Sequence, residues 1–254
     1  MRDDNILRQS FGSIAERYDR LRPGPPDEAV RLVLPDDAVD VLELGAGTGT
    51  LTRQLVRRHG HVRAVEPDDR MRALLLERAP RADVVAGSAE EIPAESSSYD
   101  AVIGSSMWHW VDEARAVPEV ARVLRRGGTF ALLWNGVDRT VDWVQSLWAG
   151  GKQLNPQEQA GAAAARRVRH EVHLGAEDPF LEPERQVIRW TRLMPQEDLI
   201  GMAATYSAVI VMDPAERQEY LASMGRFLTM HEVPRRGDAI EVPMGCFCWW
   251  TTRR

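Results

Sequence analysis

The chain has 254 residues, of which 44% are hydrophobic and 28% charged, and its formal net charge is −6. A chain of this length can bury a core without disulfides or metals, so it fits one α/β domain or a domain with a cap. The acidic balance argues against a nucleic-acid partner, because phosphates are bound by clustered Lys and Arg. The most apolar stretch, residues 201–212, is too short and too polar to cross a membrane, and the first ten residues lack the apolar core of a secretion signal. We therefore expect a cytoplasmic protein.

The two cysteines, Cys246 and Cys248, stand two residues apart near the C-terminus. On a strand their side chains would share a face, which suits neither a disulfide between them nor a four-ligand zinc site. We interpret them as small core or edge residues in a reducing compartment, and we expect no metal site.

Residues 39–135 alternate short apolar runs with helical patterns, and this rhythm predicts a right-handed, doubly wound sheet. The runs are mostly continuous, as expected for parallel strands buried on both faces. The predicted strands are 39–45, 61–67, 82–87, 99–106 and 129–135. A predicted helix over 50–60 ends at Gly60, and the next begins with Asp68 or Asp69 as its N-cap.

Residues 112–128 carry a helical pattern that contains Pro118. A proline inside a helix removes a backbone hydrogen bond and costs about 3 kcal/mol. We therefore expect a short turn first, with the helix beginning near Pro118 and ending at Gly127 and Gly128.

After residue 136 the rhythm changes, because two helical patterns precede the next strand. The predicted elements are helices over 140–150 and 156–170, a strand over 184–194, helices at about 195–206 and 214–230, and a strand over 242–252. The whole chain, 1–254, is interpreted as one domain. Its parts are N-terminal lid helices (1–35), a core (39–135), a helical insertion (136–182), and C-terminal strands and helices (183–254).

The stretch VLELGAGTGTLT, residues 41–52, places Gly45, Gly47 and Gly49 directly after the first predicted strand. Such glycines let a ligand lie against bare backbone at the start of the next helix, although Gly-rich turns also serve ordinary tight packing. Dinucleotide-binding turns have the spacing G-x-G-x-x-G, whereas here Thr50 stands in the place of the last glycine.

Glu66 ends the second predicted strand, 19 residues after Gly47, where a carboxylate can accept both hydroxyls of a ribose. Together with AVEPDDRM, GSAEEIP, YDAVIGSSMWHW and VARVLRRGGTFALLWN, these segments resemble the successive motifs of class I S-adenosylmethionine-dependent methyltransferases, and in particular the small-molecule group called methyltransferase type 11. The match covers residues 10–135 strongly and the last strands more loosely. It implies an α/β fold with a doubly wound, seven-stranded Rossmann-like sheet whose last strand is antiparallel, an N-terminal helical lid, and a helical insertion after the fifth strand.

The resemblance also implies the cofactor, S-adenosyl-L-methionine, whose product is S-adenosyl-L-homocysteine. In the family pattern Glu43 orients the amino group of the cofactor, and Arg22 meets its carboxylate. The family usually has Asp where Ser88 stands, so the adenine contact here is expected to be largely with backbone. The cofactor-binding residues implied in this way are Tyr18, Arg22, Glu43, Gly45, Ala46, Gly47, Glu66, Pro67, Met71, Ser88, Ala89, Glu90 and Ser105.

The segment after the fourth predicted strand is expected at the methyl-transfer site, because ligands bind beyond the carboxyl ends of the strands of an open α/β sheet. The expected substrate-binding residues are Trp108, His109, Trp110 and Trp134. These rings favour a small apolar or aromatic acceptor, while each ring could instead fill the core. His109 is the candidate catalytic base, with a structural role as the alternative. Asp112 orients His109 or caps the next helix, and we expect the cap.

Three other functions remain open at this point. An NAD-dependent oxidoreductase is disfavoured by Thr50 and by the later motifs. A non-catalytic cofactor-binding module would keep the glycines and Glu66 without turnover. An RNA or protein methyltransferase is weakened by the acidic charge. The sequence names neither the acceptor nor the oligomeric state.

Overall fold

The computed structural model describes residues 21–151, 157 and 170–254. Tyr18 and most of the predicted N-terminal lid lie outside the described residues, as does most of the predicted helix over 156–170. The strands are β1 (Asp40–Leu44), β2 (His61–Val65), β3 (Asp83–Val85), β4 (Tyr99–Ser105), β5 (Leu124–Val137), β6 (Glu184–Met194), β7 (Arg235–Arg236) and β8 (Ala239–Thr252).

These strands form one sheet in the order β3-β2-β1-β4-β5-β8-β6, with the short β7 paired to β8. β1 to β5 pair with one another in parallel. β8 runs antiparallel to β5, β6 and β7. The predicted sheet with an antiparallel last strand is therefore confirmed, and the two-residue β7 is an addition that the sequence analysis did not predict.

Both faces of the sheet are buried, which explains the continuous apolar runs of its strands. In β1, Leu42 and Leu44 belong to one core cluster, whereas Val41 belongs to another. Cys246 and Cys248 are buried in the same cluster as Val41, and both are free thiols. Their predicted place on one face of a strand is confirmed.

The helices of the described residues cover the two faces and the end of the sheet. They are α1 (Asp27–Val33), α2 (Thr52–Leu55), α3 (Asp69–Arg78), α4 (Glu113–Val123), α5 (Asp142–Trp148), α6 (Gln196–Ala203), α7 (Ser207–Ile210) and α8 (Pro214–Met230). Asp68 caps α3, because its side chain accepts hydrogen bonds from the amides of Arg70 and Met71. None of these helices is long and apolar enough to cross a membrane.

The expected break at Pro118 is wrong, because α4 runs through this residue. The apolar face of α4, which includes Val117 and Val120, is buried against the sheet, and this burial stabilises an unbroken helix. Pro118 and Ala114 lie on the exposed side, where water can satisfy the carbonyl that loses its amide partner. The helix also ends earlier than expected, at Val123, since the following residues already belong to β5.

Candidate active site

Three adjoining cavities lie beyond the carboxyl ends of β1, β4 and β5. In the strand order, β1 and β4 are neighbours at the point where the order of the chain reverses. Ligands of open α/β sheets bind at such a switch point. The register of the sheet pairs Leu44 with Gly104, so Gly45 and Ser105 leave adjacent strand ends together.

The first space, the Glu66 cavity, holds about 880 Å³ including its mouth open to solvent. Its wall consists of Gly45, Gly47, Glu66, Pro67, Asp68, Met71, Ser88, Ala89, Glu90, Ser105, Ser106, Met107, Trp110 and Val111. The second space, the Glu43 cavity, is lined by Arg22, Pro23, Gly24, Pro25, Glu43, Gly45, Ala46, Gly47, Thr48, Thr50, Leu51, Ser105, Ser106 and Asn135.

The third space, the Arg139 cavity, lies on the other side of Ser106. Its wall consists of Arg22, Ser106, His109, Trp110, Trp134, Asn135, Gly136, Val137, Arg139, His170, Tyr206, Ser207 and Gly245. Ser106 lines all three cavities. It has a left-handed backbone with φ of 55°, and its amide donates to the carbonyl of Leu133 at 2.7 Å. A non-glycine residue in this conformation is strained, and such strain concentrates at functional sites.

Two glycines of the first motif have different reasons to be glycine. A Cβ on Gly49 would come within 2.6 Å of the Leu75 side chain, so Gly49 serves close packing against α3. A Cβ on Gly47 would meet nothing nearer than the Met71 sulfur at 3.8 Å, and φ at Gly47 is +59°. The space over Gly47 belongs to the Glu66 and Glu43 cavities, so this glycine keeps backbone bare for a ligand.

Glu66 directly follows β2 and is 5% exposed. Its Oε2 accepts a hydrogen bond from the Gly47 amide at 2.8 Å, and its Oε1 accepts one from the Asp68 amide at 2.9 Å. Burial raises the pKa of Glu66 above its ordinary value, against the opposing effect of these two amides. Each carboxylate oxygen can accept a further hydrogen bond, so the group suits a diol.

Glu43 is buried in β1, and its Oε2 accepts a hydrogen bond from the Thr52 hydroxyl at 2.6 Å. Desolvation raises the pKa of Glu43 to about 8, and repulsion by Glu66 adds to the rise, while the Thr52 hydroxyl and Arg53 oppose it. A positively charged group of a bound ligand would stabilise the ionised form of such a buried carboxyl group.

The segment Trp108–Trp110 forms a 3₁₀ turn. With three residues per turn, its successive side chains point in three directions, and only one of them can face the core. Trp108 takes that direction: it is 2% exposed, packs on Phe130 with centroids 5.1 Å apart, and donates its indole N–H to Glu113 Oε1 at 2.6 Å. Trp108 therefore fills the core, the alternative that the sequence left open for each ring, and it lines none of the three cavities. His109 is exposed at the rim of the Arg139 cavity, and Trp110 lies between this cavity and the Glu66 cavity.

The predicted N-cap at Asp112 is confirmed, because its side chain accepts from the amide of Ala114. Trp134 lines the Arg139 cavity and packs on Phe247 and His170, with centroid distances of 5.7 and 5.2 Å, while those two rings stack on each other at 5.1 Å. This aromatic cluster forms an apolar portion of the cavity wall.

Asn135 connects the N-terminal segment to the sheet. Its Nδ2 donates to the carbonyls of Pro23 and Gly24 at 3.0 and 2.9 Å, and its Oδ1 accepts from the Trp190 indole at 3.2 Å. These bonds hold residues 22–25 over the Glu43 cavity. The sequence analysis missed Asn135, although an amide at the carboxyl end of a predicted central strand is a signal that could have found it.

The structure brings the predicted cofactor-binding residues together, since each of them except Tyr18 lines the Glu66 or the Glu43 cavity. It also adds residues that the sequence did not single out for the site. The additions with polar side chains include Asp68, Asn135, Arg139, His170 and Tyr206. Asp68 directly follows two predicted residues, whereas the last three come from segments with no recognisable motif.

Comparison with known proteins gives one consistent family. The family model for a methyltransferase domain, of the type 11 group, matches residues 42–132. A methyltransferase of Mycobacterium tuberculosis is 38% identical over 240 residues, which cover 94% of this chain and 93% of the relative. A Schizosaccharomyces pombe methyltransferase is 32% identical over 242 residues, which cover 93% of each protein.

A solved methyltransferase structure from Anaeromyxobacter dehalogenans superposes with a TM-score of 0.66 at 24% identity, covering 91% of this chain and 97% of that one. This likeness shows the fold. The sequence relatives and the family model agree with it and do not favour the oxidoreductase alternative. The chain therefore belongs to the class I S-adenosylmethionine-dependent methyltransferases.

Proposed function

We propose that this enzyme methylates a small molecule bound in the Arg139 cavity, with S-adenosylmethionine in the Glu66 and Glu43 cavities. The observation that carries the proposal is the position of Ser106, which lines all three spaces. A donor on one side of this residue and an acceptor on the other would meet there without crossing bulk water. Alignment and exclusion of water are what a displacement at an activated carbon requires.

The residues around the first two cavities fit this cofactor. The bare backbone at Gly47 accommodates a ligand that a side chain would exclude, and Glu66 keeps acceptor capacity for the ribose hydroxyls. Glu43, with a carboxylate enclosed in protein, would bind the ammonium of the methionine part. When bound, the cofactor supplies a methyl group on a positively charged sulfur, and the C–S electron pair stays on that sulfur as the acceptor takes the methyl group.

The acceptor would lie against the aromatic wall formed by Trp110 and Trp134. This wall favours a molecule with an apolar or planar portion. His109 stands at the rim, where it contacts the Trp110 ring at a centroid distance of 4.9 Å. We assign His109 to acceptor binding, because an exposed ring at the rim is placed to contact the acceptor whether or not it takes a proton.

A transfer assay tests the proposal. The protein would be incubated with S-adenosylmethionine labelled in its methyl group and with phenolic, carboxylic and amine acceptors, and products would be identified by mass. The proposal expects label in a small molecule, and loss of transfer with cofactor binding retained in folded Trp134→Ala, because Trp134 lines the Arg139 cavity and neither cofactor cavity. Label that appears only in protein or RNA would contradict it.

A further inference from the structure

The wall of the Arg139 cavity carries basic side chains and no carboxylate among the described residues. The basic side chains are Arg22, Arg139, His109 and His170, the phenol of Tyr206 lies beside them, and no Asp or Glu lines the space. Each of the four carries a positive charge or none at pH 7, and never a negative one. This local balance is opposite to that of the whole chain, whose net charge is −6.

Arg22 is held in one orientation by contacts on its edge and its face. Its Nε donates to the Thr205 hydroxyl at 2.9 Å, and the guanidinium carbon lies 3.6 Å from the centroid of the Tyr206 ring. Stacking and the Nε bond fix the plane of the guanidinium, and a fixed guanidinium binds oxyanions with little loss of side-chain entropy.

Asp138, which precedes Arg139 in the chain, forms hydrogen bonds with Thr140 and Arg189. Asp138 accepts hydrogen bonds on Oδ1 from the amide and hydroxyl of Thr140, at 3.0 and 2.6 Å. Its Oδ2 accepts from Arg189 at 3.0 Å. Arg139 is half-buried on the cavity wall, and its guanidinium lies 5.8 Å from the Trp148 ring. Partial burial makes its charge more effective than one on an open surface.

The two cofactor cavities are mainly acidic. Their walls include Glu43, Glu66, Asp68 and Glu90, and their one basic residue among those described is Arg22, which also lines the Arg139 cavity. The sign of the wall therefore changes at Ser106, from acidic around the proposed cofactor to basic around the proposed acceptor. A basic cavity in an acidic protein attracts an anion and disfavours a cationic amine.

We propose that the methyl acceptor carries an anionic group, a carboxylate or a phosphate, which binds to Arg139 and Arg22 while the rest of the molecule packs on Trp110 and Trp134. This inference rests on the proposed function and adds the substrate class. It predicts selectivity by charge among molecules of the same shape.

The test measures equilibrium binding to the full chain loaded with S-adenosylhomocysteine, using matched pairs of probes. Cinnamate is compared with cinnamamide, and naphthyl phosphate with naphthol, so the two arms separate carboxylate from phosphate. The variants are Arg139→Leu and, as a control for net charge, Arg126→Leu, which alters an exposed residue near the opposite end of β5.

In at least one arm, the anionic probe is expected to bind at least about tenfold more tightly than its neutral partner, the scale of a charge-assisted hydrogen bond. Arg139→Leu should bring that pair within about threefold, while Arg126→Leu should keep the preference. Equal or tighter binding of the neutral probe in both arms, no binding of either anion, or a preference that survives Arg139→Leu would overturn the inference. Failure of S-adenosylhomocysteine to bind would instead overturn the proposed function, so the two failures are distinguishable.

Discussion

The cofactor cavities and the Arg139 cavity meet at Ser106, but the chain builds them in different ways. The cofactor walls come mainly from short segments that directly follow β1, β2, β3 and β4. The wall of the Arg139 cavity combines residues as distant in the chain as Arg22, Trp110, Arg139, Tyr206 and Gly245. A site made by strand ends is local in sequence and can be recognised there. A site made by packing of distant segments carries no such local pattern, and its residues can change without changing the fold.

The largest effect is expected from Gly47→Val, which tests the cofactor side. A valine at φ +59° is strained, and its side chain would enter the space over the glycine. Affinity for S-adenosylhomocysteine should fall by at least about 100-fold, or about 2.7 kcal/mol, measured by calorimetry.

The matched control is Gly237→Val. Gly237 has the same φ of +59° with nothing within 4 Å of a Cβ, and it lies in the turn before β8. This variant should lose a similar amount of thermal stability but keep cofactor affinity. Equal loss of affinity in both variants would mean that backbone strain, not occupied space, is responsible.

The next effect concerns Glu43. If its carboxylate binds the ammonium of the cofactor, Glu43→Gln should weaken S-adenosylhomocysteine binding by about 10–100-fold, the scale of a charge-assisted hydrogen bond. The glutamine keeps the shape and can still accept from Thr52. Affinity within threefold of wild type would remove Glu43 from the cofactor site.

Glu43 also predicts a pH dependence of the unliganded protein. Its pKa of about 8 lies above the ordinary 4.5, so folding favours the protonated form. This contribution to stability is complete below about pH 4.5 and is lost as the pH rises toward 8. The melting temperature of Glu43→Gln should not show that decline. A melting temperature that changes equally with pH in wild type and variant across this range would contradict the assignment.

A smaller effect is expected from Asn135, which lies where the two regions join. Asn135→Ala removes the hydrogen bonds to Pro23 and Gly24, so residues 22–25 should cover the Glu43 cavity less firmly. Cofactor affinity should fall by about 5–10-fold. Asn135→Asp keeps the shape but places a carboxylate oxygen against the two carbonyl oxygens, so it should lose at least as much affinity as the alanine variant. Wild-type affinity in both variants would show that these hydrogen bonds do not support cofactor binding.

The smallest effect is expected from His109→Gln, on the acceptor side. Because the ring is exposed at the rim, we expect kcat within about threefold of wild type and a raised KM for the acceptor. Cofactor affinity should not change. A fall in kcat of about 10²–10⁴ at saturating acceptor would instead identify His109 as a general base.

The contrast between sites made by strand ends and sites made by distant segments also explains which features the sequence predicts. The strands from β1 to β5, the cap at Asp68 and the open space over Gly47 follow from local patterns that the fold preserves. The sequence leaves both core and cavity open for Trp108, because tertiary packing alone divides the three side chains of its 3₁₀ turn between core and cavity. Pro118 was misjudged because burial of the opposite helix face outweighs the local penalty. Arg139 and Tyr206 had no motif, since their role arises from contacts between distant segments.

The most direct test of the separation at Ser106 is a parallel titration of S-adenosylhomocysteine into Glu66→Ala and Arg139→Leu. Both residues line cavities that reach Ser106, but only Glu66 belongs to the cofactor walls. Folded Glu66→Ala should lose about 1.5–3 kcal/mol of binding free energy, or roughly 10–150-fold in affinity, because the ribose hydroxyls lose their charged acceptor. Arg139→Leu should stay within about threefold of wild type. Unchanged affinity in Glu66→Ala, or an equal loss in Arg139→Leu, would contradict the separation of the two regions.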